Sequence, residues 1–238
     1  MNYYTVKRTA DIIIAVVLLI LLFPLLVLIS LAIFIQIKEN PFFIQERSLS
    51  LGNKRFNIYK FKTLADNNNL FDVNNSSILF KPQKRKCLIK YGKFLRKTGL
   101  DELPQLINII KGEMCFVGPR PLSIEDLNKI KINFPHLYRM MEKITIAPGV
   151  SGYWQISKDE SGDINYLVKA NRYYYKNISP LLDLKILFRS IVIMLTGGHI
   201  DSIVNTDSLS LLLASKYRIF LIQKAFVYIS VIVCLFHI

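Results

Sequence analysis

The chain has 238 residues, 31 Lys and Arg against 17 Asp and Glu, and a 52% hydrophobic composition. A net charge of +14 beside that apolar excess is unlike a soluble domain and argues against a nucleic-acid partner. It fits a protein held on an anionic leaflet, where each Lys or Arg near the surface adds roughly 1 kcal/mol. Three widely spaced cysteines, Cys87, Cys115 and Cys234, form no CxxC pair, so a zinc or dithiol motif is excluded and reduced thiols are expected.

The first element is Ile12–Ile37, uncharged throughout and interrupted only by Pro24, Ser30 and Gln36. As a straight helix it would rise about 39 Å, more than the roughly 30 Å hydrocarbon core. It is too long for a signal peptide and lacks a small-residue cleavage site. Pro24 removes one backbone hydrogen bond, so a bend is expected there. The segment can span with a kink or enter and return to the same face. Physics alone favours spanning. Lys7 and Arg8 on one side and Lys38 on the other leave the orientation open.

Next, "PFFIQERSLSLGNKRFNIYKFKTL" carries aromatic and β-branched runs around Leu51-Gly-Asn-Lys54. This predicts a hairpin presenting Arg47, Lys60 and Lys62 from strand or strand-end positions. "DNNNLFDVNNSS" reads as a loop. Lys81 to Lys97 holds eight basic residues and no acid. Part of it has a helical apolar stripe, Leu88, Ile89, Tyr91, Phe94 and Leu95. For Lys84, Arg85 and Lys86 a solvated face near headgroups suffices. For Arg96, five residues before an acidic pair, phosphate neutralisation gains weight.

That pair is Asp101-Glu102 in "TGLDELPQLI". An Asp before an apolar helix is ordinarily its N-cap, with Glu in the first turn. The helix is expected over Leu103 to Lys111, ending at Gly112. In "VGPRPL" two prolines bracket Arg120 and fix where one guanidinium points. After a helical stretch to about Glu142, "IAPGVSGYWQI" is a second Pro-Gly loop with the sole tryptophan, Trp154. Asp183 to Thr196 is amphipathic and basic, fit to lie in an interface. Ser202–Asp207 reads as a linker. Ile219–Ile238 is an apolar tail with Lys224, short for a span.

Neither GxGxxG nor GxxxxGK[ST] is present, and His136, His199 and His237 are scattered. Two carboxylates among several cations at a helix start suit a metal-bound diphosphate. One carboxylate could hold Mg²⁺ or attack phosphorus while the cations stabilise moving charge. A cap and a catalytic pair both remain open on spacing alone.

The blocks "KRTAD", "FFIQER", "FNIYKFKTL", "GLDELPQLINIIKGEMCFVGPRPL", "APGVSGYWQI" and "YYYKNISPLLDLKIL", in this order from about Lys7 to Thr196, resemble the bacterial sugar transferases. These are monotopic polyprenyl-phosphate phosphoglycosyl transferases. The resemblance implies transfer of a sugar-1-phosphate from a UDP-sugar to undecaprenyl phosphate, releasing UMP, at the start of capsule, O-antigen or glycoprotein glycan synthesis. It implies that Asp101 is the nucleophile, forming a covalent phosphosugar intermediate and contacting Mg²⁺. Glu102 would be its partner in acid/base or metal handling. Arg96 and Arg120 match positions associated with phosphate or nucleotide binding, and Lys60 and Lys62 lie in the basic strand motif.

The resemblance also implies a mostly helical α/β fold: a re-entrant helix-break-helix, a small β-hairpin and amphipathic interfacial helices. The chain would divide into a membrane element over 1–38, a catalytic domain over 39–200 on the cytoplasmic face of the inner membrane, and a linker with apolar tail over 201–238. This reverses the preference for spanning. Membrane lipid is an implied partner; a homodimer or other glycan-assembly enzymes are left open. Three departures stand out. Phe23-Pro24 lacks the serine usual before the proline. Ser157-Lys158-Asp159 stands where Gly-Arg is usual, and Asn171 where Asp is common. Those at Asp159 and Asn171 keep open a catalytically impaired relative that binds a nucleotide-sugar or scaffolds other enzymes.

Overall fold

The computed structural model describes residues 3–64, 89–157 and 164–195. The asparagine-rich stretch, Lys84–Lys86, Lys158, Asp159 and the apolar tail lie outside the described residues. The described residues fall in one compact unit, Met1–Ile203.

Helix α1, Tyr3–Ile37, is one element that runs through Pro24. Two helices separated at Phe23-Pro24 were expected. A proline deletes a single ladder bond, and the uniformly apolar flanks keep every other backbone group paired within the helix. Its two ends bury against the same body. Ala15, with Leu18 and Leu19, packs on Phe56, Ile58, Leu106, Ile109 and Met114. Ile33, with Leu26, Ile29 and Ile37, packs on Phe61, Ile89 and Leu95. These contacts lie on one stripe of the helix; the opposite stripe is bare along its length, with Ile13, Ile20, Leu21, Phe23, Leu28 and Ile35 each more than half exposed.

The hairpin forms as expected. Strand β1, Phe42–Ser48, pairs antiparallel with β2, Phe56–Phe61, from Phe42 opposite Phe61 to Arg47 opposite Phe56. Phe56, Ile58 and Phe61 turn inward, and their burial stabilises by roughly 1.5–3 kcal/mol each. The turn is held by Ser48 Oγ donating to the Ser50 carbonyl at 2.7 Å and by the Leu51 amide donating to Tyr138 Oη at 2.9 Å.

Helix α2, Gly92–Thr98, leads through Gly99 (φ 68°) into a 3-10 turn, Leu100–Gln105, and then α3, Leu106–Ile110. Strands β3 (Cys115–Val117) and β4 (Leu122–Ser123) flank the Pro-bracketed loop. Strand β4 adds to the hairpin in the order β2-β1-β4. Helices α4 (Ile124–Asn133) and α5 (Pro135–Glu142) follow. Ser123 caps α4, its Oγ accepting from the Asp126 amide at 3.1 Å, as N-cap serines do. Strand β5 (Gly149–Ser151) pairs parallel with β3. Helices α6 (Tyr153–Ile156), α7 (Ile164–Lys176) and α8 (Pro180–Leu195) complete the described fold. Two apolar clusters lie away from α1. Leu122, Leu127, Met141 and Val168 centre one; Val117, Ile156, Tyr174 and Ile186 centre the other.

Candidate active site

The acidic pair is not a helix cap. Asp101 and Glu102 lie inside the 3-10 turn, whose N-cap is Gly99 with no side-chain cap bond. The cause is local. Gly99 closes α2 in the left-handed conformation and the chain restarts at once, so the tight i→i−3 geometry takes over, with the Glu102 amide donating to the Gly99 carbonyl at 3.1 Å. Pro104 lacks the amide that an α-helix would use here. The single helix expected over Leu103 to Lys111 is therefore a turn plus a five-residue helix. It is too short to supply the N-terminal dipole invoked from sequence.

What the turn does is aim carboxylates. Asp101 is 3% exposed. Glu102 Oε1 meets Lys60 Nζ of β2 at 2.6 Å, with both side chains largely buried. A second polar clamp fixes the segment. Asn108, fully buried on α3, accepts the Tyr59 amide and donates to the Asn57 carbonyl at 2.7 Å. One side chain thereby pairs the free edge of β2 and pins the dyad's turn beside the strand that carries Lys60. Arg96 reaches the same corner from α2, its Nε donating to Thr63 Oγ1 at 2.8 Å. Gly92 permits that approach: a Cβ there would lie 2.4 Å from the Thr63 carbonyl oxygen. Lys62, just past β2, pairs with Glu39 at 3.3 Å, and Arg47 is buried, donating to Gln45 Oε1 at 2.6 Å.

Arg120 stands on a different set of elements. The loops "VGPRPL" and "APGVSGYW" run backbone against backbone. A Cβ on Gly149 would lie 2.0 Å from the Gly118 nitrogen, and one on Gly152 2.3 Å from the Gly118 oxygen. Only glycine fits this contact. The pairing brings the Arg120 guanidinium 4.1 Å from the Trp154 ring, a cation–π geometry. From α7, the buried Asn171 accepts the Arg120 backbone amide on Oδ1 at 3.0 Å. That contact needs an acceptor oxygen, which amide and carboxylate both supply. The Asn171 departure therefore keeps the hold on Arg120.

Behind the loops lies a buried network absent from the sequence reading. Asp183 of α8 receives Tyr174 Oη on Oδ1 at 2.7 Å, and Tyr3 Oη on Oδ2 at 2.8 Å. Lys7 Nζ lies 2.7 Å from the same Oδ2 and 3.4 Å from Asp11. Burial first, and then the Asp183 carboxylate, hold the Tyr174 phenol well above its usual range. Burial lifts the neighbouring Cys115 thiol to about 12, so it is inert packing. The signal for this network was present as Lys7 and Asp11 in "KRTAD" and Asp183 in "YYYKNISPLLD". Nothing in either stretch says that the two meet.

A sequence model described as bacterial sugar transferase matches residues 2–197. An uncharacterized sugar transferase of Haemophilus influenzae is 34% identical over 79% of this chain and 41% of its own length. The UDP-N-acetylgalactosamine-undecaprenyl-phosphate N-acetylgalactosaminephosphotransferase of Aeromonas hydrophila is 31% identical over 82% of this chain and 45% of its own length. The exopolysaccharide production protein ExoY of Sinorhizobium fredii is 33% identical over 78% of this chain and 83% of its own length. The chain thus spans less than half of the first two and most of the third.

Proposed function

Because the chain belongs to the bacterial sugar transferase family, we propose that it moves a sugar-1-phosphate from a UDP-sugar to undecaprenyl phosphate, releasing UMP. The Aeromonas relative, whose name gives both a UDP-sugar and undecaprenyl phosphate, supports this substrate pair. The observation that carries the reading is the buried Asp101 beside the Lys60–Glu102 pair, with Arg96 at the same corner.

In the first step an Asp101 oxygen attacks the sugar-bearing phosphorus. The new P–O bond forms as the bridging bond to UMP breaks, and UMP leaves with that electron pair. In the second, a phosphate oxygen of the lipid attacks the same phosphorus and Asp101 departs as carboxylate. Lys60 balances the charge of Glu102, leaving that carboxylate oriented to serve in acid/base or metal handling. Arg96 and Arg120 counter the phosphate charge, Arg120 held flat by Trp154. Burial of Asp101 keeps water from the intermediate.

Among the described residues no three His, Cys, Asp or Glu side chains gather. The two adjacent carboxylates of the turn, Asp101 and Glu102, are a donor set that fits Mg²⁺, which one or two carboxylates hold together with substrate phosphates. Asp101 would be its ligand, and when bound the ion would neutralise phosphate charge.

The membrane reading follows the same logic. One stripe of α1, from Ala15 through Leu26 to Ile37, packs on one body while the opposite stripe is bare, so the helix stays against that body on both sides of Pro24, which supports entry and return rather than a span. Helix α8 exposes Leu181, Leu184 and Phe188 with Lys185 and Arg189 beside them, a face suited to lying on an anionic leaflet. We place the enzyme on the cytoplasmic side of the inner membrane.

The test is UMP release by protein reconstituted with Mg²⁺ and undecaprenyl phosphate across a panel of UDP-sugars. Turnover with at least one sugar is expected. Binding of UDP-sugar with no turnover for any would overturn the enzyme reading in favour of an impaired, scaffolding relative.

A further inference from the structure

Helix α8 has a second face. Its exposed stripe is Leu181, Leu184, Phe188 and Ile191; its buried stripe, one side round, is Asp183, Ile186 and Ser190. Of the polar members of the buried stripe, Ser190 meets one of the two loops behind Arg120 and Trp154 directly, and Asp183 reaches the other through Tyr174. Asp183 accepts from Tyr174 Oη, which also lies 3.0 Å from the Val117 carbonyl, one residue before Gly118-Pro119-Arg120. Ser190 Oγ lies 2.5 Å from Ser151 Oγ and donates to Gln155 Oε1 at 3.3 Å. Those two residues bracket Gly152-Tyr153-Trp154. Ser151 also donates to Gln155 Oε1 at 2.9 Å, and its carbonyl accepts the Gly118 amide at 2.9 Å, so the two tied loops are tied to each other. Between the anchor points Ile186 packs with Val117, Ile156 and Tyr174. The far end of the Asp183 cluster is Lys7 and Tyr3, the first turns of α1.

We propose that Tyr174, Asp183 and Ser190, none of which belongs to the site assigned above, are positioning residues. They hold the Arg120–Trp154 pair in register, Tyr174 from α7 and Asp183 and Ser190 from α8, whose other face meets lipid, and Asp183 is itself bonded to Tyr3 and Lys7 of α1. The consequence is a site whose phosphate-binding half is ordered by the seating of α1 and α8. Hydroxyls do this where apolar contacts would not. A buried hydroxyl left without its partner is costly, so each tie selects one loop arrangement and disfavours slippage. The claim rests on the function proposed above only for the role of Arg120; the geometry it tests is independent of turnover.

Trp154 is the only tryptophan, so its fluorescence reports the pair directly. The full-length protein is reconstituted in anionic vesicles as wild type, Tyr174→Phe, Ser190→Ala and the double variant. Each change deletes one hydroxyl and keeps the remaining shape. Acrylamide quenching of Trp154 should rise in each single variant and further in the double. KM for the UDP-sugar should rise roughly three- to tenfold, the effect of one buried hydrogen bond, with kcat little changed. The control is Ile186→Val, which loosens the same packing without touching a hydrogen bond and should leave quenching and KM near wild type. Unchanged quenching in the double variant overturns the proposal. So does an equal response in Ile186→Val, which would make the effect one of packing alone. A protein that quenches as predicted but turns over no sugar keeps the positioning role and removes only the enzyme reading.

Discussion

The two clusters proposed to form the site are held by different means. Around Asp101 the chain is fixed by polar contacts made to a strand. Lys60 pairs with Glu102 at 2.6 Å, Asn108 pairs the free edge of β2, and Arg96 bonds Thr63. Around Arg120 the chain is fixed first by backbone contact, with side-chain hydrogen bonds behind it. Gly118, Gly149 and Gly152 let two loops touch through their backbones, and one amide oxygen, from Asn171, sets the arginine. The first half tolerates changes in shape and resists changes in charge. The second resists added volume, and at 171 an amide or a carboxylate oxygen can accept the Arg120 amide equally.

The sharpest way to break the first half is Asp101→Asn. It keeps size and removes the attacking charge, so UMP release should fall by at least roughly a thousandfold while vesicle association is unchanged. Retained turnover would remove Asp101 as nucleophile. The matching test of the second half is Gly149→Ala. Its methyl would sit 2.0 Å from the Gly118 nitrogen, and overpacking of that kind costs about 3 kcal/mol. The thermal midpoint should drop by roughly 6–12 °C. An unchanged midpoint would mean the loops have room.

A charge change in the first half should have a smaller effect on stability than on activity. Lys60→Met strands the largely buried Glu102, a loss of about 3 kcal/mol. Adding Glu102→Gln should restore part of the midpoint and none of the UMP release. Full recovery of turnover in the double variant would show the pair to be structural.

The smallest effect concerns pH. The Cys115 thiol, behind the glycine-packed loops, is lifted from its usual 9 to about 12 by burial. Between those values the unfolded thiol is ionised and the folded one is not, so the folded state binds more protons. Its stabilising share is complete below pH 9 and declines as pH rises toward 12. Tyr174 shifts in the same direction. The thermal midpoint should therefore fall between about pH 8 and about pH 10.5, and less steeply in Cys115→Ala. An equal slope would place the ionising group elsewhere.

Parts whose cause is local can be read along the chain. Ile12–Ile37 is helical because no charge interrupts it, the hairpin forms around Gly-Asn because aromatic and β-branched runs flank it, and the acidic pair stands out because its residues are contiguous. Local reading also erred where a local rule was outweighed. Asp101 looked like an N-cap, but Gly99 and Pro104 forced a 3-10 turn that puts it inside rather than at the end. Relations across long separations come from the folded chain: Asn171 on the Arg120 amide, Trp154 under its guanidinium, and Lys7 on Asp183. Each depends on which backbone can approach which. That is set by the glycine contacts and by the packing of α1 and α8, and neither leaves a periodic trace along the chain.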